Sequence, residues 1–126
     1  MPKFIVNKLV RDKIIDQIYE FKGNSATVRE LSKEEYIEAL KAKLHEEAKE
    51  VAETSNDEMV SELADIEEIL QALLVELHIP QSEFTDLKDR KLQANGGYKK
   101  RIFLEKVSLS EVSPWIEKYR QQFTEE

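Results

Sequence analysis

Carboxylates supply most of the chemistry available to this sequence. Its 126 residues contain no cysteine, which excludes thiol nucleophiles, disulfides, zinc ribbons and iron–sulfur clusters together. The two histidines, His45 and His78, follow Ala42 and Val75 at three residues' distance, so neither completes the Glu-x-x-His pair of a di-iron bundle. Against these absences stand Glu46, Glu47 and Glu50, followed by Glu62 and Asp65. Acids spaced three apart share one face of a helix, so each group can aim two carboxylates at one point.

Helical phase separates these acids from ordinary surface charge. With Leu40 set to zero and ~100° per residue, Leu44 falls near ~40°, Val51 near ~20° and Glu47 near ~-20°, inside the apolar stripe. Glu50, at roughly -80°, marks the edge of the stripe, and Glu46, at about -120°, points further out. On the following segment, with Ile66 as zero, Glu62 lies near ~-40° among Met59, Ile69 and Leu73, and Asp65 near ~-100° at the margin. Four acids facing one point repel each other and lose hydration, which a divalent cation would offset. An all-oxygen set without cysteine suits Mg²⁺ or Mn²⁺ better than zinc. A plainer reading stays open, because Glu58 and Glu76 share the flank of Asp65 and that edge can simply be wet.

The elements that must position these acids follow from capping and periodicity. Ser32 and Glu35 have capping-box spacing, and a helix from there to about Thr54 places Ile37, Leu40, Leu44, Ala48 and Val51 on one face. A second helix begins after Asn56, read as its N-cap, and carries Met59 to Leu77. The short Thr54–Asp57 linker makes the two an antiparallel hairpin. Shorter helices are expected over Arg11–Phe21, Gln81–Asn95 with a stop at Gly96-Gly97, and Trp115–Gln122 after Ser113-Pro114. Lys3–Val6, Ala26–Glu30 and Lys100–Val107 could be extended. The expectation is a single, mainly α domain over residues 1–126, a helical bundle with short extended segments near both ends.

Composition narrows the partners. There are 26 acidic residues against 19 basic ones, a net charge of -7, which disfavours a coat for a nucleic-acid polymer. No apolar run approaches the ~18 residues of a membrane span, and charges break up the first 13 residues. A soluble, cytoplasmic protein is expected. Lys8, Arg11 and Lys13 cluster before the first helix, and Lys99, Lys100 and Arg101 follow Gly96-Gly97. Either cluster could meet phosphate or form a solvated rim. Tyr98, Phe103, Trp115 and Tyr119 are more naturally core or interface aromatics than stacking platforms.

Taken together, Glu46-Glu47-x-x-Glu50 and Glu62-x-x-Asp65 resemble the signature of the all-α nucleoside triphosphate pyrophosphohydrolases, which include MazG-like enzymes. The segments Asn7–Ile14 and Gly96–Leu104 resemble a phosphoribosyl-ATP pyrophosphohydrolase-like subgroup with house-cleaning roles. The resemblance covers roughly residues 4 to 105 and leaves 106–126 as a C-terminal extension. The 11 residues between Glu50 and Glu62 fall just under the family's usual gap.

The resemblance implies Mg²⁺-dependent hydrolysis of a nucleoside triphosphate to a monophosphate and pyrophosphate. It assigns the metal to Glu47, Glu50, Glu62 and Asp65, with Glu46 a supporting acid beside the catalytic Glu47 and Glu50. Lys8, Arg11, Lys13, Lys99, Lys100 and Arg101 are the phosphate-contact candidates. It also implies a homodimer or homotetramer. The alternative is a non-catalytic helical module that binds metal, nucleotide or a partner.

Overall fold

The capping box at Ser32 sets the start of the longest helix. In a computed structural model that describes all 126 residues, Glu35 N donates to Ser32 Oγ at 3.3 Å and Ser32 N donates to Glu35 Oε1 at 3.2 Å. Arg29 fixes the other Glu35 oxygen at 3.0 Å. Five helices follow in chain order: α1 (Ile14–Tyr19), α2 (Lys33–Glu53), α3 (Met59–Glu76), α4 (Gln81–Asn95) and α5 (Ile116–Gln122). The fold is mainly α, and no helix is long and apolar enough to cross a membrane. The chain comprises two compact units, Met1–Lys88 and Asp89–Glu126.

In the first unit, α2 packs along α3. The helices bury Leu40 from α2 and Ile69 and Leu74 from α3. The linker starts when Thr54 turns extended at ψ 150, and Glu58 N then donates to Ser55 O at 3.1 Å. Asn56 does not cap α3: Glu58 occupies the N-cap position and its side chain makes no capping bond. Asn56 instead lies within the turn, two residues before the N-cap position.

The end of α3 is closed by a full Schellman motif. Ile79 N donates to Leu74 O at 2.9 Å and His78 N donates to Val75 O at 3.1 Å. His78 takes the left-handed conformation, φ 57, which usually falls to glycine. Pro80 follows directly and α4 begins at Gln81. α4 ends as expected at Asn95, where Gly96 adopts φ 78 and its N–H donates to Leu92 O at 2.8 Å.

α1 is shorter than its apolar pattern suggests, spanning only Ile14–Tyr19. Its first hydrogen bond is a turn from Ile14 N to Arg11 O, which keeps Arg11 outside the helix. None of Lys3–Val6, Ala26–Glu30 or Lys100–Val107 forms a strand, because none has a paired neighbour to satisfy a ladder. In the second unit, α5 starts one residue later than expected, at Ile116, although Ser113 Oγ does accept from Trp115 N at 3.2 Å. Its i, i+4 spacing stacks Trp115 on Tyr119, and Tyr119 meets Phe123 at 5.1 Å.

Candidate metal centre

Glu47 is the one buried charged residue, 5% exposed and on the α2 face that meets α3. Helical phase places it there, three residues after Leu44 and four before Val51. Its Oε2 has no hydrogen-bond partner, and Oε1 is 3.9 Å from Lys43 Nζ. Leaving a buried carboxylate oxygen unpaired costs on the order of 1–3 kcal/mol or more, a cost that a ligand at this atom would relieve.

Glu46, Glu47 and Glu50 each present an oxygen within 4.8 Å of the others, and Glu47, Glu62 and Asp65 do the same. Glu47 belongs to both groups, so α2 and α3 share one acidic centre. A Mg²⁺ with bonds of ~2.1 Å places its ligand oxygens about 3.0 to 4.2 Å apart. The donor set is carboxylate alone, which suits Mg²⁺ or Mn²⁺.

The electrostatics reflect crowding. Burial pushes the Glu47 carboxyl above its ordinary value; a hydrogen bond from Glu62 opposes this, and the charges of Glu50 and Asp65 add to it. Glu62 is pushed up to about 7, first by its hydrogen bond with Glu50, then by that with Glu47, and then by desolvation. A proton shared within this group of acids would relieve the repulsion between them.

Cations reach the centre from two directions. Lys8 Nζ is 3.0 Å from Glu46 Oε1, and Arg11 Nη2 is 2.7 Å from Asp65 Oδ1. Lys43 Nζ approaches Glu46 Oε2 at 3.6 Å. The hydrogen bond from Lys8 holds Glu46 below the usual carboxylate range despite some desolvation, with Lys43 contributing. The same contacts raise Lys8 and Arg11 above their ordinary values. Glu46, engaged by lysines through both oxygens, is therefore a counter-ion and not a free base.

Of the basic residues singled out from sequence, Lys8 and Arg11 meet the acids. Lys13 occupies the exposed N-cap position of α1. Lys99, Lys100 and Arg101 are exposed in the second unit, Arg101 with φ 56. Lys43 was not among the candidates, although its spacing of three and four residues before Glu46 and Glu47 is the signal that finds it. A cleft of about 100 Å³ lies beside the centre, lined by Asn7, Lys8, Leu9, Ala39, Ala42, Lys43 and Glu46. Comparison of the chain with protein-family models, curated proteins and solved structures finds no match.

Proposed function

We propose that this protein is a Mg²⁺- or Mn²⁺-dependent hydrolase that cleaves a nucleoside triphosphate to the monophosphate and pyrophosphate. The observation that supports this most is the orphan oxygen of buried Glu47, set among acids from two helices. The reaction class comes from the resemblance of the two acidic motifs and their basic flanks to the all-α pyrophosphohydrolases.

In this reading Glu47, Glu50, Glu62 and Asp65 hold the cation. When bound, the metal would offset phosphate charge and lower the pKa of a water. Glu62 must give up its proton for the carboxylates to act together. One carboxylate of the set would take the proton of the attacking water, and Glu50, half-buried and without an ion-pair partner, is the candidate through the oxygen that does not hold the cation. The new bond joins water oxygen to one of the two phosphorus atoms that flank the α–β bridging oxygen, the bond from that phosphorus to the bridging oxygen breaks, and the monophosphate and pyrophosphate part. Lys8 and Arg11, paired with Glu46 and Asp65, are the candidates for phosphate contact, and Lys8, with Lys43 contributing, holds Glu46 ionised.

The reading includes a second copy of the chain. Val60, Leu63, Val75 and Leu77 of the α3 segment remain exposed although α2 already covers one side, and a helix apolar on most sides normally has more than one neighbour. The cleft beside the acids is smaller than the ~300 Å³ at which ligand pockets begin. That size favours the rival reading, a non-catalytic metal-binding helical module, unless a second copy completes the pocket.

Pyrophosphate release from a panel of standard and modified nucleoside triphosphates, with and without Mg²⁺, separates the two. Metal-dependent release that Glu47→Gln abolishes is the expected result. Absence of release from every triphosphate sinks the enzyme, and full activity in Glu47→Gln sinks the site. Light scattering of the same sample reads the oligomer.

A further inference from the structure

We propose that residues 8–11 form a basic strap whose docking on the acidic centre and the binding of a divalent cation oppose each other, so that metal loading frees Lys8 and Arg11 for an anionic ligand. The inference rests on the metal-site reading above and concerns how that site is regulated.

Three observations converge. First, the strap touches both helices of the hairpin: Lys8 pairs with Glu46 of α2 and Arg11 with Asp65 of α3. Apart from Lys43, these are the counter-charges in contact with the acids. Five carboxylates therefore face three cations, and two of the three lie on a segment outside any helix. Second, the strap is lightly held. Lys8 and Arg11 side chains are 55% and 58% exposed, and Asn7–Leu9 line a cleft together with the small residues Ala39 and Ala42. Third, no helix or strand holds the strap: residues 8–11 precede the first helix, which begins at Ile14, and the one backbone hydrogen bond the segment makes is that from Ile14 N to Arg11 O at 3.1 Å.

Like charges then fix the sign of the coupling. A divalent cation among Glu47, Glu62 and Asp65 cancels much of the field that holds the strap, and Asp65 is the residue for which metal and Arg11 compete. By linkage, whatever factor metal takes from strap docking, the docked strap takes from metal affinity. An anion arriving with or after the metal would meet two cations newly released from carboxylates.

The test uses the full chain and Mn²⁺ alone. Mn²⁺ affinity is measured by calorimetry for wild type, Arg11→Gln, Lys8→Gln, Arg11→Lys and Glu47→Gln, with Lys3→Gln controlling for remote charge. Removing each strap cation is expected to tighten Mn²⁺ binding about two- to five-fold, the range of exposed ion pairs. Arg11→Lys stays near wild type and Lys3→Gln changes less. In parallel, hydrogen exchange of the Ile14 amide, which donates to Arg11 O at 3.1 Å, is followed with and without Mn²⁺, and metal is expected to speed it. Weaker Mn²⁺ binding in Arg11→Gln, or exchange that metal leaves unchanged or slows, overturns the strap. If Mn²⁺ binds wild type but not Glu47→Gln while the strap stays still, only this proposal falls. If Mn²⁺ binds no variant, the metal-site reading falls with it.

Discussion

Proton release provides the sharpest check on the acidic centre. Glu62, pushed up to about 7 by its hydrogen bonds with Glu50 and Glu47, must be ionised to act as a ligand. At pH 6 a group of that pKa is about 0.9 protonated, and at pH 8 about 0.1. Mn²⁺ binding should therefore release about 0.9 proton at pH 6 and about 0.1 at pH 8, with Glu47 adding to the first figure because the two acids titrate together. Apparent affinity should rise about tenfold between those pH values. Calorimetry in buffers of different ionisation enthalpy reads the proton count from the slope of observed heat against buffer heat. Glu62→Gln should flatten that slope and weaken binding. Equal release at the two pH values, or a wild-type slope in Glu62→Gln, would refute the assignment of a shared proton to this centre.

Three further outcomes follow from the same structure. In the metal-free protein the thermal midpoint should fall from about pH 4.5 to about 7 and then level off, because folded Glu62 keeps a proton that the unfolded chain releases near 4.5; a pH series of melting curves checks it. Glu47→Gln should melt at or above the metal-free wild type near neutral pH, since an amide removes a buried charge. The same variant should lose the metal-induced rise, which for wild type reaches about 2.7 kcal/mol when metal is at 100 times its Kd. Leu40→Ala, at a buried position of the hairpin, should cost about 2–5 kcal/mol in denaturant unfolding, against about 1 kcal/mol for Ser32→Ala, which deletes one half of the capping box.

The local parts of this fold are legible in the chain. Ser32 and Glu35 announce the start of α2, Gly96 stops α4, and the three- and four-residue steps around Leu40 put Glu47 inside the hairpin, where it is found. Each of these depends on residues within about one helical turn, and helix geometry relates them without reference to the rest of the molecule. Lys43 was equally readable by that rule. The misreadings arise where local signals compete. Asn56 is a good cap that the turn does not use, and the apolar pattern of Arg11–Phe21 extends beyond the turn that actually starts α1.

The sequence alone therefore determined which acids share a helix face and that one of them sits in an apolar stripe. It left open whether the two acidic groups meet, because the linker between α2 and α3 permits more than one register. Packing of the hairpin decided that, by placing Glu47 within 4.8 Å of Glu62 and Asp65. It also decided which cations answer them. Lys8 and Arg11 reach Glu46 and Asp65 across 38 and 54 residues of chain, and no periodicity specifies a pairing of that range. Such contacts depend on where the backbone returns after several turns, which is a property of the folded whole.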